Sequence, residues 1–212
     1  MSDGQKRRRA APGQNGGLGA EPPKYGLLPL GNDNPWRTLS SKIIYDNGRL
    51  RLREDEVLQP DGAPGAYTFI EIPWPIVVVV PITEDGHVHL VRQWRYAWGQ
   101  NSWEVPAGTC EPGEDPLVGA RRELAEEVGL QASQWEPLGH GMTSATMSAH
   151  YHLFLARGLS PVAAAQGRDG AEHDLIVQTV PLPTAVEAVI DGRIVHVLTA
   201  VGLFHAARRL GL

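Results

Sequence analysis

The chain has 212 residues, 42% hydrophobic and 20% charged, with a formal net charge of -5 and 1 cysteine. These values belong to a globular protein long enough for a sizeable core, and exclude low-complexity and fibrous classes. The acidic balance argues against a nucleic-acid backbone as partner and no apolar run approaches the ~20 residues of a membrane helix. The lone cysteine excludes an intrachain disulfide and points to a reducing cytoplasm.

Residues 1–35 carry a basic run, Lys6 to Arg9, and then a Gly, Pro, Asn and Gln rich stretch without apolar periodicity. Such a segment cannot bury enough surface to order itself and is expected to be a disordered tail. Lacking an apolar h-region behind its charges, it does not read as a signal peptide. Residues 36–74 read as a β-rich lobe: Ile43-Ile44-Tyr45, Leu50 to Val57 and Ala66 to Ile72 are separated by the turn sequences Asp46-Asn47-Gly48 and Pro60-Asp61-Gly62.

A main domain is expected over 75–212. Ile76 to Val80 is apolar and β-branched throughout, which predicts a strand buried on both faces. The turn Glu84-Asp85-Gly86 leads to Val88 through Tyr96, and the two strands are expected to form a hairpin. The second ends in Arg92, Trp94, Arg95, Tyr96 and Trp98. An Arg fork suits phosphate, and rings such as Trp98 can stack on a base. For Trp94 a core or dimer contact is an equal reading, and Arg95 is the better functional candidate.

Trp103 to Gly108 reads as a strand and turn, and Gly108 to Leu130 as a loop feeding one short helix. Pro116 suits its first turn and Gly129 the position just past its end. At about 100° per residue, Leu117, Ala120, Leu124 and Val128 form the stripe a core would bury. Glu123 and Glu127 lie one turn apart beyond its edge, with Glu126 further round and Arg122 beside it. Like charges so placed repel each other. A hard divalent cation, Mg²⁺ or Mn²⁺, would compensate them; a solvated acidic face beside Arg121 and Arg122 is the plainer reading. Cys110, with no base next to it in sequence, reads as a bystander.

Farther on, Tyr151 to Leu155 and Leu175 to Val180 read as strands, with a loop over Gly158 to Gly170 between them. Thr184-Ala185-Val186-Glu187 has the capping-box form before a helix ending near Gly192, and a last helix is expected from about Val197 to Leu210. His150 and His152 share one side of a strand, but lack a third ligand for zinc.

Gly108, Glu114, Arg122, Glu123, Leu124, Glu126, Glu127, Gly129 and Leu130 fill all the specified positions of the pattern G-x5-E-x7-R-E-U-x-E-E-x-G-U, where U is apolar. This stretch resembles the box of the Nudix hydrolase family. Gln93-x-Arg95 and Trp103-Glu104-Val105-Pro106-Ala107-Gly108 make the chain similar to its ADP-ribose and nucleotide-sugar pyrophosphatase subgroup. At 143–149 the chain departs from that subgroup, lacking the proline associated with ADP-ribose specificity. The resemblance implies the α/β fold of a Nudix α/β/α sandwich, with a mixed β-sheet and an N-terminal β-rich extension that joins a homodimer. It also implies that the Ala107 carbonyl, Glu123, Glu126 and Glu127 hold Mg²⁺ or Mn²⁺, and that Arg95 and Glu104 contact a nucleotide substrate. Trp36 or Trp74 would reach an adenine, while Glu114 and Arg122 would hold loop and helix together. Besides Glu126 and Glu127, catalysis would use a loop base, Glu172, with Asp174 as its competitor. The implied activity is metal-dependent hydrolysis of a nucleoside diphosphate linked to X, ADP-ribose giving AMP and ribose 5-phosphate. The alternatives are other nucleotide sugars, nucleoside triphosphates, or a ligand-binding regulator without catalysis.

Overall fold

A computed structural model of the protein describes residues 33–162 and 174–212. Most of the expected tail, residues 1–32, lies outside the described residues, as does Glu172. The described architecture is that of the unit Trp36–Leu212.

Three strands open it: β1 (Arg37–Asp46), β2 (Arg51–Leu58) and β3 (Pro64–Glu71), paired antiparallel in sequence order. Their turns form where the Asx and glycine residues predict them. Asp46 accepts from the N–H of Gly48 and Asp61 from that of Ala63, 2.8 and 2.9 Å away. A parallel bridge, Ile70 to Met147, joins this meander to the strands that follow in one seven-stranded sheet.

β4 (Ile76–Pro81) is central, with β9 (Met147–Pro161) parallel on one side and β7 (Ala107–Thr109) antiparallel on the other. β8 (Leu130–Ser144) pairs antiparallel with the outer side of β9, so the sheet is mixed. Val77, Val78, Val79 and Val80 are all fully buried because both faces of β4 are covered. Val77 and Val79 pack with Ala120 and Leu124 of α1 (Pro116–Glu123) and the turn after it. Val78 and Val80 pack with Leu182 and Ala185 of α2 (Leu182–Ile190) and Leu198, Leu203 and Ala206 of α3 (Val197–Leu210). Helices therefore cover both sides of a mixed sheet, with a strand-rich N-terminal region, as expected.

The expected hairpin between β4 and the following strand does not form. β5 (His87–Arg95) belongs to a second sheet, between β6 (Gln100–Glu104) and β10 (Ile176–Pro181), and meets the first connection only at the bridge Ile82 to Val88. Pro81 has no N–H to give a ladder, and β4 already has a neighbour on each side. The capping box at Thr184 is not used either. α2 begins at Leu182 behind Pro181, placing Thr184 inside the first turn. Pro183 there costs the helix no bond, since the first-turn N–H groups have no intrahelical partner. The expected strand at Tyr151 to Leu155 is the middle of the longer β9, which continues to Pro161 into the expected loop.

Candidate active site

The acidic helix is built by short-range rules. Asp115 caps α1 by accepting the Leu117 N–H at 2.9 Å, and Pro116 follows it. The helix is not uniform to its end: Leu124–Val128 forms a wider π turn, stopped by Gly129 at φ 74°, whose N–H bonds the Ala125 carbonyl at 3.0 Å. Such widened turns change which way successive side chains leave the helix, and recur at functional sites. Burial of Ala120 and Leu124 presses this segment against β4, and the neighbouring carboxylates go in with it. Glu123 is 6% exposed and Glu127 is 2% exposed.

Both carboxylates meet the backbone at the start of β7. Glu127 Oε2 accepts the Ala107 N–H at 3.1 Å. At Gly108 a Cβ would stand 2.0 Å from Glu123 Oε1, so the absence of a side chain is what lets this carboxylate lie against the strand. Arg122 offsets the acidic charge. It donates to Glu114 at 3.1 and 3.0 Å, to Glu123 at 2.8 Å, to Glu126 at 3.0 Å and to the Thr109 carbonyl at 3.2 Å. The Arg122 bond holds the Glu114 carboxyl below its ordinary range against the opposing effect of desolvation. In turn, the bond to Glu114, with Glu123 and Glu126 behind it, raises Arg122 above its ordinary value.

Glu123, Glu126, Glu127 and the Ala107 carbonyl are all oxygen donors of the kind that suits Mg²⁺ or Mn²⁺. The cradle at Gly108 fits this reading, because it brings buried carboxylate and strand backbone into contact without an intervening side chain. Among the described residues no three His, Cys, Asp or Glu side chains already converge as a ligand set, and Arg122 spans Glu123 and Glu126.

Ala107 and Gly108 also line a cleft of about 530 Å³ with Gln93, Arg95, Trp98 and His196. β5 and β6 pair antiparallel with Glu104 opposite Val91 and Arg95 opposite Gln100, and the Arg95 side chain reaches back to Glu104, which accepts Nε at 2.7 Å and Nη2 at 2.5 Å. Glu104 is 1% exposed and lies beneath the guanidinium. His196 Nδ1 stands 3.0 Å from Glu104 Oε2 and 2.9 Å from Thr199 Oγ1, which accepts the Val105 N–H at 3.0 Å. Burial pushes the Glu104 carboxyl up, yet the Arg95 bond and neighbouring positive charge outweigh it and leave it below its ordinary range. Burial lowers His196, and Arg95 lowers it further against the pull of Glu104. Arg95 supplies the hydrogen bonds to the Glu104 carboxylate, and the hydrogen bond of the imidazole is the one between Nδ1 and Thr199 Oγ1, its direction set by the tautomer.

The structure thus brings Arg95, Trp98, Glu104 and Ala107 together, with Glu123 and Glu127 behind Ala107. Trp36 stands apart from them in the β lobe, edge-on to Tyr67 with ring centroids 5.7 Å apart. Tyr67 donates to the Ala145 carbonyl at 3.1 Å, beside an apolar groove lined by Phe69, Met142 and Met147. Asp174 is exposed, just before β10. Cys110 is 3% exposed, and burial, then the Glu114 charge, push its thiol up to about 11, which suits a bystander. His152 meets His140 across β8 and β9, ring centroids 6.2 Å apart. His196 and Thr199 were not legible as site residues, because neither belongs to a motif and their partners lie on β6 and just beyond it.

Comparison with known proteins gives two family matches, to the NUDIX domain over residues 73–192 and to the nucleoside diphosphate sugar hydrolase N-terminal domain over residues 36–70. The chain is 33% identical to an ADP-ribose pyrophosphatase of Mycobacterium tuberculosis over 81% of its own length and 83% of that protein's. It is 32% identical to a methanol dehydrogenase activator of Bacillus methanolicus over 79% of its length and 90% of the relative's. In fold it matches the crystal structure of an ADP compounds hydrolase with a TM-score of 0.74 at 21% identity, covering 83% of this chain and 94% of the other. The box helix, the cradle at Gly108 and a match over residues 73–192 agree: the chain belongs to the Nudix hydrolase family.

Proposed function

We propose that the protein hydrolyses the pyrophosphate bond of a nucleoside diphosphate linked to X, with ADP-ribose as preferred substrate and AMP and ribose 5-phosphate as products. One observation carries the reading: two buried carboxylates, Glu123 and Glu127, converge on the backbone of Ala107 and Gly108, which line the same cleft as Arg95 and Trp98. The similarity to two ADP-ribose pyrophosphatases, at 33% and 28% identity, favours ADP-ribose among the possible substrates.

Glu123, Glu126, Glu127 and the Ala107 carbonyl would hold Mg²⁺ or Mn²⁺. Such a cation supplies charge neutralisation on the pyrophosphate oxygens and makes a water more acidic. Arg95 offers its fork to the substrate, and Trp98 offers a ring face. Glu104, buried under Arg95, acts by orienting it. Glu172 takes the proton of the attacking water as the new P–O bond forms and the P–O–P linkage breaks, the leaving phosphate departing with its electron pair.

The β lobe of residues 36–74 is assigned to dimer formation and to the substrate pocket of a partner, with Trp36 meeting the adenine there, and residues 75–212 to the catalytic domain. What supports a homodimer is the exposure of large apolar side chains along β1, where Leu39, Ile43, Ile44 and Tyr45 are 51, 55, 46 and 55% exposed. A nucleotide is the partner the cleft suits. No helix among the described residues is long and apolar enough to cross a membrane, and a buried lone thiol suits the cytoplasm.

The test is phosphate release, after added phosphatase, from ADP-ribose, other ADP-sugars, GDP-mannose, UDP-sugars, diadenosine polyphosphates and nucleoside triphosphates, each with Mg²⁺ and with Mn²⁺. Selective turnover of ADP-ribose that Glu127→Gln lowers by about 10² or more is expected, the scale of losing one preorganised electrostatic group. Turnover of no compound with either metal would overturn the reading.

A further inference from the structure

The N-terminus of α3 brings His196 to the cleft and Thr199 behind it, two side chains that the proposed reaction leaves unassigned. Glu104 Oε1 is engaged by Arg95 Nε at 2.7 Å, and Oε2 by Arg95 Nη2 at 2.5 Å and by His196 Nδ1 at 3.0 Å. A two-pronged bond fixes the guanidinium relative to the carboxylate, but leaves the pair free to swing together about the Glu104 side chain. His196 Nδ1 stands 3.0 Å from the same carboxylate. Thr199 then ties the imidazole to the backbone, since its Oγ1 lies 2.9 Å from Nδ1 and takes the Val105 N–H from the residue after Glu104.

We propose that His196 is a positioning residue for Arg95: acting through Glu104, with Thr199 as its anchor, it sets the direction in which the guanidinium fork meets the substrate. The inference rests on the proposed pyrophosphatase reading. Burial supports it. Glu104 and Thr199 are 1% and 0% exposed and neither lines the cleft, while the side chain of Arg95 is 35% exposed. His196 itself is 14% exposed at the side chain, with its ring 5.9 Å from that of Trp98, so Arg95 and Trp98 are held by one shared support. In this proposal one Nδ1–H is shared between Thr199 Oγ1, 2.9 Å away, and Glu104 Oε2, 3.0 Å away, and this contact removes a rotation of the carboxylate, not a charge.

The substitutions separate positioning from packing. Asn at 196 keeps a donor at about the distance of Nδ1 from the backbone, Gln moves its donor one bond further, and Leu fills the volume with no donor. With the wild-type enzyme turning over ADP-ribose, His196→Leu and His196→Gln are expected to raise KM about tenfold, the scale of one hydrogen bond to a charged group, with a smaller change in kcat. His196→Asn is expected to recover to within about threefold. In an Arg95→Ala background, His196→Gln should add less than about twofold, because there is no fork left to aim. Equal impairment by Asn and Gln, or full additivity with Arg95→Ala, would overturn the proposal. If the wild-type enzyme turns over nothing, it is the pyrophosphatase reading that fails. The support itself is then read by ¹⁵N NMR of the imidazoles, where His196 should carry its proton on Nδ1 and lose that signature in Glu104→Gln. An Nε2–H tautomer in the wild type would overturn the inference on its own.

Discussion

Gly108→Ala is the most informative single change. The added Cβ would lie 2.0 Å from Glu123 Oε1 and 2.2 Å from its Cδ, against an ordinary contact of about 3.4 Å or more, so a displacement of about 1 Å is forced. Relief by side-chain rotation is restricted, because Glu123 is 6% exposed and bonded by Arg122 at 2.8 Å. The φ at Gly108 is not in the left-handed region, so the effect is steric and not one of backbone strain. Overpacking of this kind costs about 1–3 kcal/mol. For a domain of this size that lowers Tm by about 2–12 °C. A misplacement of about 1 Å in a catalytic group costs about 10² in rate, and the larger loss should therefore be in activity. Differential scanning fluorimetry and a Mg²⁺ titration of ADP-ribose hydrolysis on one preparation measure both. Wild-type Tm together with wild-type Mg²⁺ dependence would refute the cradle as the reason for glycine at this position.

Arg122→Ala leaves Glu114, Glu123 and Glu126 without their shared donor and should cost about 1–3 kcal/mol, discounted from the fully buried case because Arg122 is 25% exposed; urea denaturation with an unchanged midpoint would contradict this. Glu172→Gln should lower kcat by about 10² to 10⁴ with substrate binding near normal, and an unchanged rate would move the base to Asp174. Ile43→Asp, at a position 55% exposed in one chain, should change the stability of a monomer by no more than about 0.5 kcal/mol yet shift sedimentation from dimer to monomer; a dimer that persists would remove β1 from the interface. Stability should fall on acidification in two stages. His196, His152 and His89 are lowered by burial, so the unfolded chain takes up protons first, below about pH 6.5, and stability declines from there toward the folded values. Glu114 and Glu104 are also lowered, so their contribution is present above about pH 4.3 and is lost as pH falls through the folded values. A Tm that rises from pH 7.5 to pH 5 would contradict these signs.

What the sequence determined by itself is what depends on near neighbours. The helical period places Ala120 and Leu124 on the buried stripe with Glu123 and Glu127 beside it, Asp115 and Pro116 start the helix, and Gly129 ends it; each acts within one or two turns. The run from Val77 to Val80 carries its own sign of double burial, because no polar residue alternates with the apolar ones. What only the tertiary structure decided are the choices between competing long-range partners. Val88 could pair with β4 by proximity, but β9 and β7 flank that strand, and β5 goes to β6 and β10 instead. β8 has no clean alternation, and its bulge near Pro137 hides it until β9 supplies the pairing edge. The burial of Glu104 and its bonds to Arg95 appear only once β5 and β6 are paired. His196 and Thr199, with Thr199 94 residues from the Val105 N–H it accepts, reach the site only because α3 packs across the face of β4 formed by Val78 and Val80. Local spacing could specify which carboxylates meet the strand at Gly108, since helix geometry fixes their separation. It could not specify what holds Arg95, because that depends on how distant elements share one core.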